Sequence, residues 1–200
     1  TATEAFAHAR LILIWGSNTL TSNLHLWPFV QQARQHGARV IVIDPAQTRT
    51  AQAADEWLPI RPGTDGALAL ALCQVLLAEE LHDETFARDW THGFAEFAQY
   101  VQHFRPEVVA PITGVPADDI RVLAREIAQA HGAAPVMYSG LEDSDSGVQA
   151  IRATMVLWGL AGQLDVPGGR CFTMRENLFP ITRAGLIPNP HVKNALVRDR

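Results

Sequence analysis

Four stretches of the chain combine small residues with side-chain oxygens: WGSNTLTS at 15–22, DPAQT at 44–48, RPGTD at 61–65 and SGLEDSDSG at 139–147. In the first, Gly16 lets the backbone turn tightly and approach a ligand, while Ser17, Asn18, Thr19 and Ser22 can donate hydrogen bonds without adding charge. Neutral donors of this kind suit a diphosphate that backbone amides and a helix dipole already hold. Ordinary strand-to-helix turns favour the same residues, so this stretch alone leaves both interpretations open.

Two aspartates in these stretches are candidates for binding a nucleotide. Asp44 follows Gly16 by about 28 residues, where a dinucleotide-binding unit places the carboxylate that accepts hydrogen bonds from both ribose hydroxyls; it could equally stabilise its own loop. Asp65 stands at a predicted helix start, where it could cap free amides or accept from the N1 and N2 donors of a guanine. The pattern G-x-G-x-x-G is broken to G-S-N-T-L-T, which weakens the case for a nicotinamide site.

Other chemistries find less support in the residue spacing. The eight histidines are dispersed without an H-x-x-x-H pattern, and of them only His25 follows one of the four stretches. The stretch at 139–147 is acidic enough for a divalent cation but lacks the register of an EF-hand loop. Cys73 and Cys171 lie far apart and outside any CxxC, so we expect reduced, buried cysteines rather than a metal or disulfide site. With no G-x-S-x-G elbow, the chain is typical of a binder of a large nucleotide-like ligand.

The elements that would position these stretches follow from the apolar pattern. Continuous apolar runs at 11–15 and 39–44 predict strands covered on both faces, and WPFVQQARQHG between them predicts a helix that ends at Gly37. This spacing predicts a right-handed crossover and a parallel sheet. Further strands are predicted at 56–62 and 135–140, and helices at 63–83, 83–90, 94–104, 116–130 and 147–165. The pattern indicates an α/β fold: a doubly wound, mainly parallel, Rossmann-like sheet with helices on both faces and a helical insert between the third and fourth strands.

Composition limits the class of protein further. We expect one α/β domain over residues 1–168 and an extended tail over 169–200, because Gly, Pro and Asn are scattered through the tail without a sustained period. An apolar fraction of 48% and a charged fraction of 18% are typical of a globular chain. The net charge of -5 disfavours a nucleic-acid surface. No apolar run approaches the ~20 residues of a bilayer span, and the first ten residues do not read as a signal peptide.

Several motifs together carry a resemblance to a known family. LILIWGSN, GARVIVIDPAQTRTAQAADEWLPIRPGTDGALALAL, ITGVPADDIRVLAREIA and GVQAIRATMVLWGLAGQLDVPGG occur in this order and with natural spacing. Over about 11–169 the chain resembles the molybdopterin oxidoreductase family, of the dimethyl sulfoxide reductase and formate dehydrogenase type.

The resemblance implies that this α/β domain holds one molybdopterin guanine dinucleotide. Residues 15–22 would line its diphosphate, 44–48 and 63–65 would hold its ribose and guanine, and 139–143 would approach its pterin and metal. The cofactor-binding residues so implied are Trp15, Gly16, Ser17, Asn18, Ser22, Asp44, Pro45, Thr48, Gly63, Thr64, Asp65, Ser139, Gly140 and Asp143. The chain departs from the family where Ala46 or Gln47 replaces a frequent Arg and where Asp143 replaces a frequent neutral amide.

The resemblance also implies a larger enzyme that carries molybdenum or tungsten. Its 4Fe-4S cluster would lie in an N-terminal region, and a metal-ligating segment and a C-terminal domain would complete it. We expect this chain to be an excised domain, incomplete for redox catalysis and without bound cofactor when isolated. Its partners would be the remaining domains, a small-molecule substrate and an electron-transfer partner, in the cytoplasm or periplasm of a bacterium. The alternatives are a cofactor-free scaffold domain in a respiratory complex, a nicotinamide-dependent dehydrogenase domain, or a plain nucleotide-binding module.

Overall fold

A four-stranded parallel sheet lies at the centre of the protein, whose computed structural model describes residues 3–169. Its strands are β1 (Leu11–Trp15), β2 (Arg39–Ile43), β3 (Glu56–Leu58) and β4 (Ala133–Met137). In space they follow the order β3-β2-β1-β4, so the chain first adds strands on one side of β1 and later returns to its other side. Trp15 pairs with Ile43 of β2 and with Met137 of β4, so these three strands end at one level. The parallel sheet predicted from the sequence is confirmed.

The apolar run LILIW explains why β1 is a central strand. Leu11, Leu13 and Trp15 pack into one hydrophobic cluster, whereas Ile12 and Ile14 pack into another. Successive side chains of a strand point to opposite faces, so a strand covered on both faces needs an unbroken apolar run. All five residues are at most 3% exposed, and the prediction of a sheet covered on both faces is confirmed.

Helices cover both faces and connect the strands. The α-helices are α1 (Thr19–Ser22), α2 (Trp27–Gln35), α3 (Arg49–Ala53), α4 (Asp65–Ala78), α5 (Glu84–Trp90), α6 (Phe94–Tyr100), α7 (Pro106–Thr113), α8 (Ala117–Gln129), α9 (Ser139–Glu142) and α10 (Gly147–Leu160), and 3₁₀ helices span Thr3–His8 and Val101–Phe104. Residues of α4, α8 and α10 pack with Leu13 on one face, and residues of α2 and α3 pack with Ile12 on the other. Helices α5 to α8 form the predicted helical insert.

β2 ends at Ile43, one residue before its predicted end, and two other strands differ more from their predicted bounds. The third was expected over 56–62 but ends at Leu58, because Pro59 has no N–H with which to continue the ladder. The fourth was expected over 135–140 but spans Ala133–Met137, since its first two residues already pair with β1. Ser139 and Gly140 therefore begin a short helix instead of ending a strand.

Four helices were not predicted: α1, α3, α7 and α9. α1, α3 and α9 have four or five residues, which is too short for an apolar period to stand out in the sequence. α7 has eight residues but contains Pro111, a residue that disfavours a helix interior. Three of them, α1, α3 and α9, directly follow the loops at the carboxyl ends of β1, β2 and β4. The error therefore falls on the region that positions the candidate site.

One glutamine joins the helical insert to the sheet. The Gln163 side chain is 4% exposed, and its Oε1 accepts hydrogen bonds from the backbone amides of Gly132 and Ala133 at 3.2 and 2.8 Å. Its Nε2 donates to the carbonyl of Ala130 at 2.7 Å. This amide therefore ties the segment after α10 to the end of α8 and to the start of β4.

Two features of the sequence fall at the limit of the described chain. Except for Gly169, the predicted tail over 169–200, with Cys171, lies outside the described residues. Over residues 3–169 no helix combines the length and apolar character that a membrane crossing requires.

Candidate functional site

A cleft of about 530 Å³ opens at the carboxyl ends of the strands, beside the point where the strand order reverses between β1 and β4. Its size lies within the range of small-ligand pockets, and open parallel sheets bind ligands at this position. The lining residues are Gly16, Asp44, Pro45, Pro62, Gly63, Asp65, Gly140, Asp143, Ser144, Asp145 and Ser146. Seven of the predicted site residues are thus brought together: Gly16, Asp44, Pro45, Gly63, Asp65, Gly140 and Asp143.

Two glycines meet at the reversal point and shape the cleft wall. Gly16 has a φ of +62°, and its carbonyl accepts a hydrogen bond from the Gly140 amide at 3.1 Å. A Cβ on Gly16 would lie 2.6 Å from Leu141 Cδ1, and a Cβ on Gly140 would lie 2.6 Å from the Gly16 carbonyl oxygen. Gly16 therefore supplies the tight turn predicted for it, and the close approach is to the backbone after β4.

A buried carboxylate forms part of the cleft lining. Asp65, the first residue of α4, is 6% exposed, and its Oδ1 accepts a hydrogen bond from the Trp15 indole Nε1 at 2.8 Å. Burial raises the pKa of the Asp65 carboxyl, the Trp15 hydrogen bond opposes that rise, and the nearby charge of Asp44 adds to it. Trp15 itself is fully buried and lies beneath the cleft rather than in its lining.

Asp44 lines the cleft from the end of β2. Its Oδ1 accepts from the Ala46 amide at 2.9 Å, and its carbonyl accepts from the Trp57 indole at 2.8 Å. One carboxylate oxygen thus has the loop-stabilising role that the sequence left open. Oδ2 makes no hydrogen bond with the described residues and stays available for a ribose hydroxyl.

The polar side chains after β1 form their hydrogen bonds within the protein, to one another, to the backbone or to Thr50 of α3. Asn18 Oδ1 accepts from the Thr50 hydroxyl at 2.8 Å, and Thr50 Oγ1 accepts from the Leu20 amide at 2.9 Å. Ser17 and Thr19 share a hydrogen bond of 3.0 Å, and both are buried. These contacts fasten α1 to α3, so this loop is built as a support for the cleft and none of its hydroxyls is in the lining.

The other predicted residues lie near the cleft but outside its lining. Ser22 donates to the Asn18 carbonyl at 3.1 Å, and Thr48 caps α3 by accepting from the Ala51 amide at 3.2 Å. Thr64 occupies the N-cap position of α4, where its hydroxyl donates to the Arg61 carbonyl at 2.7 Å. Ser139 is exposed at the start of α9.

The charge of the cleft is negative. Its lining contains four carboxylates, those of Asp44, Asp65, Asp143 and Asp145, and no Lys, Arg or His among the described residues. Asp65 begins α4 and Ser146 precedes α10, so two helix N-termini lie at the cleft and offset part of this charge. The arrangement favours a ligand that presents hydrogen-bond donors over one that presents only anionic groups.

Four lining residues were not named from the sequence: Pro62, Ser144, Asp145 and Ser146. The Ser144 hydroxyl is buried and has no hydrogen-bond partner among the described residues, and the Ser146 hydroxyl donates to the Gly63 carbonyl at 3.4 Å. Pro62 lies within the polar stretch 61–65, and the other three lie within the polar stretch 139–147. The fold of α9 and the turn after it, which the sequence did not predict, decide which of these side chains face the cleft.

The remaining candidates of the sequence analysis lie apart from the cleft. His25 is exposed and outside the lining. Cys73 is fully buried in α4 as a free thiol, and burial raises its pKa. In residues 3–169 no three His, Cys, Asp or Glu side chains are grouped to hold a metal ion.

The chain is similar to a known protein family and to individual proteins over most of its length. The profile of the family described as Molybdopterin oxidoreductase matches residues 1–195. The probable oxidoreductase YoaE of Bacillus subtilis is 36% identical over 166 residues, which are 83% of this chain and 24% of that protein. Formate dehydrogenase H of Escherichia coli is 32% identical over 191 residues, which are 94% of this chain and 27% of that protein.

A solved structure supports the same relationship. Acetylene hydratase from Pelobacter acetylenicus matches with a TM-score of 0.74 and 34% sequence identity, over 78% of this chain and 22% of that chain. The chain therefore spans about a quarter of the length of the curated relatives it matches.

Proposed function

The chain belongs to the molybdopterin oxidoreductase family, and on this premise we propose that its cleft binds the guanine dinucleotide part of a molybdopterin cofactor. The observation that carries the proposal is the Asp65 carboxylate, which is 6% exposed and lies in the cleft lining. Guanine presents two neighbouring N–H donors, and a carboxylate is the acceptor-only side chain that matches them. The Trp15 indole occupies one acceptor site of this buried carboxylate, and guanine donors would satisfy acceptor sites that remain.

The lining fits a nucleoside in two further ways. The Ser144 hydroxyl, buried and without a partner in the described chain, can pair with a polar ligand atom. Asp44 Oδ2 is free to accept from a ribose hydroxyl.

The lining fits the diphosphate less well. Phosphate groups would meet the two helix N-termini but also four carboxylates, without a basic side chain among the described lining residues. We therefore assign the nucleoside end to this chain and the cations that neutralise the phosphates to other parts of the whole enzyme. The short span of the chain relative to its relatives is consistent with this division.

When bound in the whole enzyme, the cofactor supplies the redox chemistry of molybdenum or tungsten at its dithiolene end. The share of this chain is orientation: Asp65 and Asp44 fix the nucleotide end, and through it the position of the pterin. We assign substrate choice, any 4Fe-4S cluster and the residue that ligates the metal to other regions of the whole enzyme. On this proposal, catalysis requires those regions as well.

Titration calorimetry on the 200-residue chain tests the proposal. We expect weak binding of guanosine and GDP, with weaker or no binding of ADP and NAD, because Asp65 pairs with guanine donors. Equal affinity for GDP and ADP, or strongest binding of NAD, would contradict the proposal.

A second candidate, a cofactor-free scaffold domain of the same fold, is favoured by one observation. The polar side chains after β1 are hydrogen-bonded within the protein, and the acids of the cleft have no basic counterpart among its described lining residues. The two functions separate in the same titration, since a scaffold would show no guanine preference. The family match favours both over the nicotinamide alternative.

A further inference from the structure

We propose that Trp15 is a positioning residue for guanine selectivity, acting through its indole N–H on Asp65 without contacting the ligand. The sequence had grouped Trp15 with the residues that touch the cofactor. The inference rests on the proposed function, but its first test does not require a ligand.

The Trp15 indole is linked to the cleft by one hydrogen bond, to Asp65. Trp15 ends β1, is fully buried, and donates from Nε1 to Asp65 Oδ1 across 2.8 Å. A phenylalanine or leucine would fill a core position at this strand end without the N–H. The polar atom of this side chain therefore needs an explanation beyond packing, and its partner is the acid that lines the cleft.

The hydrogen bond orients the carboxylate for recognition. A carboxylate offers about four lone-pair sites on two oxygens, so Oδ1 can accept from Trp15 and still accept from a ligand. With one oxygen fixed to a β-strand, the carboxylate plane cannot rotate freely, and both oxygens keep one direction relative to the cleft. Fixed acceptors discriminate between guanine donors and the edge of adenine, whereas a rotating carboxylate would adapt to water or to other ligands.

The hydrogen bond from Trp15 also favours the ionised form of Asp65, whose surroundings favour the protonated form. The charged groups that face Asp65 across the cleft are Asp44 at the end of β2, and Asp143 and Asp145 between α9 and α10. Burial is the main cause that raises the pKa of the Asp65 carboxyl, and the charge of Asp44 adds to the rise. The Trp15 N–H opposes both, because a donor to the charged form stabilises it.

The first test measures the Asp65 carboxyl itself in the ligand-free chain. Carbon-13 NMR of the carboxyl follows its titration in the wild type, in Trp15→Phe and in Trp158→Phe. Trp158 is a matched control: it is equally buried and its Nε1 also donates over 2.8 Å, but to the Ala133 carbonyl at the amino end of the sheet. We expect the pKa of Asp65 to rise in Trp15→Phe and to stay at the wild-type value in Trp158→Phe. An unchanged pKa in Trp15→Phe overturns the inference, with or without a ligand.

The second test measures selectivity. In Trp15→Phe the ratio of guanosine to adenosine affinity should fall by about tenfold, the size expected for losing one hydrogen bond that orients a charged group. The pH below which guanosine binding fails should move upward, and Trp158→Phe should show neither change. If Trp15→Phe keeps the wild-type ratio while Asp65→Asn loses it, the inference fails and the proposed function stands.

Two further outcomes are also informative. If the wild type shows no guanine preference, the proposed function fails and the selectivity role of Trp15 fails with it. If Trp15→Phe does not fold, replacement of Trp15 by 3-benzothienylalanine keeps the ring size and removes only the N–H. The same pKa and selectivity outcomes then apply to that variant.

Discussion

Replacing Asp65 by asparagine should weaken guanosine binding while stabilising the ligand-free chain. The substitution keeps an oxygen that can accept from Trp15 but turns the other end of the side chain into a donor, which would face guanine donors. A hydrogen bond to a charged group contributes about 1.5–3 kcal/mol, so guanosine affinity should fall by roughly 10- to 150-fold. Adenosine affinity, which we expect to be low in the wild type, should change little.

The stability effect has the opposite sign. Because burial raises the pKa of Asp65, the folded chain holds this proton to higher pH than the unfolded chain does. The stability that comes from the protonated carboxyl is complete below the unfolded pKa and is lost as the pH rises through the raised folded pKa. Asp65→Asn cannot ionise, so its gain over the wild type should appear at neutral pH and vanish in acid.

Calorimetry gives the affinities, and urea denaturation at several pH values gives the free energies of unfolding. Asp118→Asn is the matched control, because Asp118 also stands in the first turn of a helix, α8, but is exposed and outside the cleft lining. Equal loss of guanosine affinity in both variants would refute the reasoning. So would a loss of stability at neutral pH in Asp65→Asn, since it would make the carboxylate a structural requirement.

Three other changes test further parts of the structure. Gly16→Ala should lower the free energy of unfolding, measured by urea denaturation, by about 2 to 4 kcal/mol, because the left-handed backbone is strained and the new Cβ clashes with Leu141. The control Gly37→Ala, where φ is also positive but a Cβ would meet no atom, should lower it by about 1 kcal/mol. In the same assay, Gln163→Leu should lower the free energy of unfolding by about 2 to 4 kcal/mol, because buried backbone groups lose their hydrogen-bond partner. The control Gln149→Leu, at an exposed position, should change it by no more than about 0.5 kcal/mol. Because the cleft is acidic, calorimetry at low salt should show GDP binding less tightly than guanosine. Raising the salt concentration from about 10 to about 150 mM shortens the Debye length from about 30 to about 8 Å, so the difference between the two affinities should become smaller. A GDP affinity that falls with salt would instead indicate basic groups at the phosphates.

The elements with strong periodic signals could be predicted from the sequence. LILIW gives β1 its place in the centre, and the Ala- and Leu-rich run of α4 predicts a helix buried on most sides, as its fully buried Leu68, Leu72 and Cys73 confirm. Parallel pairing follows from the strand–helix–strand spacing. These features depend on the residues of one short segment at a time, so the sequence of each segment is enough to predict them.

The detailed geometry of the cleft could not be predicted in the same way. Ser17, Asn18 and Thr19 have the composition of a ligand-binding turn and of a self-bonded turn alike, and only the position of Thr50 on α3 distinguishes the two. The link between Trp15 and Asp65 joins residues far apart in the chain, so no local window contains it. Whether these residues hold a cofactor stays a prediction.

The contact between Gly16 and Gly140 has a consequence for how the protein folds. These residues are separated by roughly 120 positions, and bringing the ends of so long a segment together costs entropy before any contact compensates for it. The first three strands can pair through short connections, but the wall of the cleft must wait until the insert has folded and delivered β4. Ligand-binding competence should therefore be among the last properties that a refolding chain recovers, after most of its secondary structure has returned.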